Sequence, residues 1–132
     1  MTDRKEWREK ADATFDAQAW QLTERGAMLP QLAVALDFSL SKPKQIVIAG
    51  RPGASDTRAM LKLVHDRFIP NKILLLADGG SGQKRLAEWL PFIKTMERKD
   101  GKATAYICEN YACKLPTADL QTAARLLDES VK

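Results

Sequence analysis

The chain has 132 residues, of which 45% are hydrophobic and 29% charged, which is the balance of a folded domain with one core rather than of a disordered chain. Its 21 basic and 17 acidic residues give a net charge of +4, but the two signs alternate in stretches such as DRKEWREK near the N-terminus. This scatter is typical of a solvated surface and argues against the dense basic patch that nucleic-acid binding requires.

The first 41 residues are predicted to form a helical hairpin. Residues 3–29 contain no proline and carry apolar side chains at helical spacing, so we expect one long helix there. A surface helix normally has a single apolar stripe, whereas this one has two and should contact a partner on each side. One face carries Trp7, Ala11, Phe15, Gln18 and Leu22, and the opposite face carries Ala13, Ala17, Trp20 and Ala27. A second helix, PQLAVALDFSLS, begins at Pro30 and is apolar nearly all round, which predicts that it is buried.

Residues 42–132 are predicted to form a small α/β domain. Three short apolar runs, KQIVIAG, KILLLAD and ATAYICE, predict buried strands near residues 45–49, 72–77 and 103–108. Helices are expected from a cap at Ser55 or Asp56 to residue 68, from residue 83 to 99 with a break at Pro91, and after a cap at Thr117. Phe68 and Trp89 are expected to face inward. Strands alternating with helices indicate a three-layer fold in which helices cover both faces of a small parallel sheet.

Two glycine-rich loops follow the first two strands and are candidate anion or ligand sites. Their relevant residues are Gly50, Gly53 and Ser55 in the first loop, and Asp78, Gly79, Gly80 and Gly82 in the second. A glycine loop leading into a helix can bind anions, but neither spacing matches a dinucleotide-binding motif or a P-loop. Ordinary strand-to-helix connections are the preferred interpretation. If they do bind a ligand, we expect a pocket at the strand carboxyl ends, lined by these two loops and by residues 110–115.

Both cysteines lie in the segment TAYICENYACKLPT, as Cys108 and Cys113. Three interpretations are open, in this order of preference: packing in the core and loop, a disulfide or redox pair, and a metal site. A thioredoxin-type pair needs C-x-x-C at a helix N-terminus, and zinc would also need the single histidine, His65, and a carboxylate. We expect unactivated thiols, with Cys108 the more buried, and no bound metal.

The N-terminus shows no signal peptide and no apolar run is long enough to span a bilayer, so we expect a cytoplasmic protein without membrane contact. A reducing compartment would keep two cysteines as thiols. No serine or cysteine has an evident histidine and acid partner, so neither a catalytic residue nor a cofactor is predicted.

The stretch ATAYICENYACKLPTAD, together with PKQIVIAG and FIPNKILLLAD, resembles the C-terminal region of the YyaL-like thioredoxin-domain proteins. That family includes the spermatogenesis-associated thioredoxin-like proteins of animals, and the resemblance extends over residues 30–127. It implies a longer parent, in which a thioredoxin-like domain and an (α/α)6 toroid accompany the α/β region. The hairpin of residues 1–41 resembles the last hairpin of such a toroid. Cys108, Cys113 and Pro116 match the family pattern, which assigns them no role.

These observations together favour a non-catalytic module for assembly or interaction. We expect a homo-oligomer formed through the N-terminal helices, or contacts with the missing parent domains. Two alternatives stay open. One is a ligand-binding or enzymatic domain that uses the loops at the strand ends, carbohydrate-related by family analogy. The other is a redox-responsive domain acting through Cys108 and Cys113.

Overall fold

The computed structural model describes residues 4–109 and 112–129. The chain divides into two compact units, with the boundary between Lys42 and Pro43.

The first unit is helical throughout. Its elements are α1 (Lys5–Ala17), α2 (Ala19–Arg25), a short 3-10 helix (Gly26–Met28) and α3 (Pro30–Leu40). The predicted single long helix is therefore wrong, since it is divided at Gln18, whose backbone leaves the helical region. The predicted burial of α3 is also wrong, because none of the described helices of this unit contains a buried residue.

The second unit has the predicted α/β class, and its three main strands lie where the apolar runs placed them. Its elements are β1 (Lys44–Ala49), α4 (Ser55–His65), β2 (Lys72–Ala77), α5 (Ser81–Trp89), a 3-10 helix (Pro91–Thr95), β3 (Thr104–Glu109), β4 (Ala112–Cys113) and α6 (Leu120–Asp128). The division of the fourth predicted helix at Pro91 is confirmed. The two-residue strand β4 was not predicted.

The sheet is mixed, with strand order β2-β1-β3-β4. β1 pairs in parallel with β2, whereas β3 runs antiparallel to β1, with Val47 opposite Tyr106. The predicted parallel direction of the third strand is therefore wrong. After Pro91 the chain folds back beside the start of α5, and a tight turn then sends it into β3 from the edge at which β1 and β2 end. Asp100 and Gly101 form this turn with φ of 51° and 72°, the backbone of a type I′ hairpin turn.

Helices cover both faces of the sheet, as expected for a three-layer fold. Ile46 and Ile48 of β1 pack with α4 and α6, whereas Val47 and Ala49 face the side covered by α5 and the second 3-10 helix. Two predicted core residues lie outside this core: Phe68 is 94% exposed because α4 ends at His65, and Trp89, the last residue of α5, is 47% exposed.

The cap of the last helix lies two residues after the predicted one. Asp119 is the N-cap of α6, and its Oδ2 accepts the Thr122 N–H at 2.7 Å. This hydrogen bond keeps the pKa of Asp119 below its ordinary value. Thr117 instead pairs with Ala105 through its backbone, and its Oγ1 accepts the Asp119 N–H.

Candidate functional site

The direction of β3 decides which loops share an edge of the sheet. The loops after β1 and β2 lie at the edge where those strands end, and β3 begins there. Residues 112–115 follow β3 and lie at the opposite edge, whereas residues 110 and 111 of the predicted loop lie outside the described residues. The three loops expected to line one pocket are thus divided between two edges, because an antiparallel strand ends where its neighbours begin.

In the first loop, close packing explains the glycine that follows β1. A Cβ added at Gly50 would overlap the side chain of Thr57, which is fully buried. Gly53 has a φ of +79°, which favours glycine. Ser55 is the first residue of α4, and the N-cap is Ala54 with no side-chain hydrogen bond, so the predicted cap at Ser55 or Asp56 is wrong. These contacts are those of a tight strand-to-helix connection.

The carboxylate of Asp56 links the start of α4 to β3. Its Oδ1 accepts the Thr57 N–H and its Oδ2 accepts the Ala103 N–H, both at 2.8 Å. The bond from Ala103, followed by that from Thr57, holds the pKa of Asp56 below its ordinary value. Asp56 therefore fixes the turn that precedes β3.

The second loop is organised around Asp78. Its Oδ1 accepts the N–H groups of Gly80 at 2.8 Å and Gln83 at 2.9 Å. These bonds, with a further one from Gly82, lower the pKa of Asp78 against the opposing effect of desolvation. The backbone donors at the start of α5 thus already have a carboxylate as acceptor, so an external anion would have to be bound by other groups.

Gln83 joins this loop to the segment that contains Ile93 and Met96. It was not singled out from the sequence. Its Oε1 accepts the Gly79 N–H at 2.8 Å, and its Nε2 donates to the carbonyls of Ile93 at 2.7 Å and Met96 at 3.0 Å. The side chain is buried and every polar group of its amide has a partner. Its position on an amphipathic helix carries no signal that would have distinguished it from a solvated glutamine.

Gly82 provides a test of this arrangement. An added Cβ would lie 2.5 Å from Asp78 Oδ2, which hydrogen bonds hold in place. Alanine normally stabilises a helix by about 1 kcal/mol over glycine, but here we expect Gly82→Ala to lower the free energy of unfolding by about 1–2 kcal/mol. Denaturant unfolding measures this loss. Gly80→Ala is the control, because its Cβ would have 3.6 Å to the nearest Asp78 atom, and an equal loss there would contradict the explanation.

At the opposite edge, Cys108 and Cys113 lie directly across from each other on β3 and β4 and are joined by a disulfide. This is the second of the three interpretations, and it replaces the free thiols that we expected. Cys108 is 4% exposed and Cys113 is exposed. A smaller cavity of about 220 Å³ beside Cys113 is also lined by Lys44 and Lys114.

Lys44 connects this edge to the end of α6. Its Nζ donates to the carbonyl oxygens of Leu127 at 2.5 Å and Glu129 at 2.6 Å. A cation at a helix C-terminus is stabilised by the helix dipole. The positive charge of Lys44 therefore stabilises the C-terminal end of α6.

The described residues hold no group of three or more His, Cys, Asp or Glu side chains that could bind a metal ion. His65 is exposed on α4, and both sulfur atoms of the predicted metal alternative are engaged in the disulfide. No helix among residues 4–109 and 112–129 has the length and hydrophobicity needed to cross a membrane.

The first unit exposes several large apolar side chains, which we call together the N-terminal apolar surface. Its large side chains are Trp7, Trp20, Met28, Val34, Phe38 and Leu40. The guanidinium of Arg4 lies 4.8 Å from the ring centre of Trp7, and that of Arg25 lies 5.7 Å from that of Trp20. Tryptophan rings that contact cations in this way can remain exposed to solvent. Cation–π contacts do not apply to the exposed aliphatic side chains of this surface.

Comparison with known proteins shows that this chain is similar to one segment of much larger relatives. The chain is 39% identical over 127 residues to Spermatogenesis-associated protein 20 of Homo sapiens, a match that covers 96% of this chain. The Rattus norvegicus and Mus musculus proteins of the same name are 38% and 37% identical over 129 residues, or 98% of the chain. In each case the chain spans only 16% of the length of the relative. No family model matches the chain, and no solved structure matches it.

Proposed function

We propose that this chain is a non-catalytic α/β module that serves assembly, and that the N-terminal apolar surface is its contact surface. The observation that carries the proposal is that the described helices of residues 4–42 bury none of their residues, while Trp20, Val34 and Leu40 are 62%, 63% and 78% exposed. Helices gain most of their stability from packing an apolar face, so this unit is incomplete without a partner.

The partner that the charges favour is a second copy of the chain, related by a two-fold axis. The N-terminal part of α1 has a small basic excess, with Lys5, Arg8 and Lys10 against Glu6 and Glu9, and Lys5 pairs with Glu9 at 3.5 Å. Asp12 and Asp16 lie toward the C-terminal end of the helix. This distribution opposes the helix dipole within one helix. An antiparallel copy would place the basic end of each α1 beside the acidic end of the other, which is the self-complementary arrangement of a two-fold interface.

We propose further that the module corresponds to the C-terminal α/β region of a YyaL-like thioredoxin-domain protein. The resemblance of the segment that contains Cys108, Cys113 and Pro116 supports this assignment. The relatives support it too, since most of their length lies outside the matched segment.

The oligomeric state of the protein tests whether the N-terminal apolar surface is a contact surface. We expect light scattering to show a dimer at micromolar concentration, and Val34→Glu combined with Leu40→Glu to shift it to monomer. Both side chains are exposed, so these changes should cost little folding stability. Phe68→Glu is the matched control, because Phe68 is 94% exposed in the second unit. A wild-type monomer, or a dimer that survives the double substitution, would contradict the proposal.

Charge reversal tests the antiparallel direction. Replacing Lys5 and Arg8 by glutamate should weaken the dimer, and adding Asp12→Lys and Asp16→Lys should restore it. Such exposed pairs contribute about 0.2–1 kcal/mol each, so the effect should be measured at low salt. If the fourfold variant associates no better than the double variant, the helices are not paired in this way.

A further inference from the structure

A cavity of about 750 Å³ opens at the end of β2, between the first turns of α5 and the returning chain of residues 94–101. It lies wholly within the second unit. Its volume is in the range of small-molecule sites, about 300–1,000 Å³. Ala77, Ala87 and Met96 give it an apolar part, and Ala77 and Met96 are buried.

Three cations line the same cavity, each from a different segment of the chain: Lys84 from α5, Lys94 from the 3-10 helix, and Arg98 from the segment between that helix and β3. Among the described residues none of the three is in an ion pair. Arg98 donates from Nη1 to the Gly101 carbonyl at 3.0 Å, which positions its guanidinium and leaves other donors available.

The acidic residues that line the cavity differ in how the structure holds them. The Asp78 carboxylate is turned to its own loop, where backbone N–H groups hold it. Glu97 is fixed at its backbone, whose N–H and carbonyl both bond to the hydroxyl of Tyr106. Glu88 also lines the cavity. With Asp78 and Glu97, three acids and three cations line the cavity, so the lining has no excess positive charge for a polyanion and suits a ligand with one anionic group.

We propose that this cavity binds a small organic anion, with its apolar body against Ala77, Ala87 and Met96 and its carboxylate or phosphate held by Lys84, Lys94 and Arg98. Arg98 is the member able to hold either group with two parallel hydrogen bonds. The apolar part contributes through the area that it removes from water. Neither feature by itself would select this class of ligand, but the cavity combines them.

Phenyl phosphate and benzoate are suitable probes, with benzyl alcohol as the neutral control of similar shape. In nuclear magnetic resonance titrations of the full chain, we expect saturable shifts at the Ala77 and Ala87 amides and the Met96 methyl group. Benzyl alcohol should bind at least about tenfold more weakly than phenyl phosphate, since hydrogen bonds to charged groups are the stronger ones. Equal binding of the alcohol would overturn the assignment of an anion site.

Substitutions then identify the cations. Lys84→Gln and Arg98→Gln should each weaken phenyl phosphate binding by about tenfold. Arg58→Gln removes the same charge from exposed α4 on the other face of the sheet and should leave binding unchanged. All three side chains are exposed, and amide spectra verify that each variant is folded. Equal weakening by Arg58→Gln, or shifts confined to the N-terminal apolar surface, would overturn the proposal.

Discussion

Replacing Gln83 by glutamate is expected to lower the free energy of unfolding by about 3 kcal/mol at pH 7, because it buries a charged group opposite two acceptors. One carboxylate oxygen can still accept the Gly79 N–H. The other would face the carbonyls of Ile93 and Met96, which lie 2.7 and 3.0 Å from the present Nε2 donor. Two hydrogen bonds are lost and a repulsive contact takes their place.

The loss should depend on pH in a defined direction. Burial and the two carbonyls disfavour the ionised form, so the folded-state pKa of the new glutamate lies above its unfolded value of about 4.3. The penalty is therefore complete above the folded-state pKa and shrinks as the pH falls toward the unfolded value. Asp56, Asp78, Asp119 and Asp128 have lowered pKa values. Their stabilisation is lost only at pH values below the range over which the two proteins are compared.

The measurement is the difference in unfolding free energy between variant and wild type from pH 8 to pH 5. Gln121→Glu is the matched control, since Gln121 is exposed in the first turn of α6, where an acid is favourable. A Gln83→Glu loss no larger than that of the control would show that the buried amide does not hold the loop. A loss that stays constant with pH would show that the penalty is not electrostatic.

The strands were predictable from sequence, but the direction of β3 was not. The hydrogen bonds of Gln83 show why. Apolar runs such as Ile46 to Ala49 and the break at Pro91 are local signals, and the three main strands and the division of the fourth predicted helix followed from them. The direction of β3 depends on whether the chain crosses the sheet again after Thr95. The path of the chain is held by the hydrogen bonds from Gln83 Nε2 to the Ile93 and Met96 carbonyls and from the Ala103 N–H to Asp56. A local bond from the Lys99 N–H to Thr104 Oγ1 supports the turn. Hydrophobic periodicity carries no information about such bonds.

For the candidate site, the sequence indicated one of the bordering loops but not the roles of its side chains. Asp78 was selected with its loop, and the loop does border the larger cavity. Its carboxylate, however, binds the backbone donors that were expected to hold an anion. The cations Lys84, Lys94 and Arg98 are far enough apart in sequence that only the fold shows them around one space. For α3, composition showed that the helix is apolar but not whether its partner lies within the chain, so its exposure could not be predicted.

Reduction of the Cys108–Cys113 disulfide is expected to lower the free energy of unfolding of the second unit by about 2 kcal/mol, the loop-closure contribution of a short cross-link. The two cysteines are five positions apart in sequence and join β3 to β4, which has only two residues. Without the bond, β4 is held to β3 by few contacts, among them the hydrogen bond from the Lys114 N–H to the Ile107 carbonyl at 2.9 Å. Hydrogen exchange at Lys114 should therefore accelerate on reduction.

Exposure determines the order of the reaction. Cys113 is exposed and Cys108 is 4% exposed, so an attacking thiolate reaches the Cys113 sulfur first. It forms a mixed disulfide with Cys113 and releases Cys108 as a thiolate, which takes up a proton. The second thiol of a dithiol reductant then displaces Cys113, and the reductant leaves as its own disulfide, having supplied two electrons. With glutathione, a monothiol, the first adduct should be found on Cys113 by mass spectrometry.

Two variants separate the bond from the packing of its sulfur atoms. Cys113→Ser should be as stable as the reduced wild type, since it removes the bond and leaves Cys108 as a small apolar side chain. Cys108→Ser should be less stable by about a further 1 kcal/mol, because it buries a hydroxyl group in the sheet. Thiol titration of the unfolded, unreduced protein decides the premise: no free thiol is expected. Two free thiols, or a stability that reductant does not change, would restore our expectation from the sequence that these cysteines are unpaired.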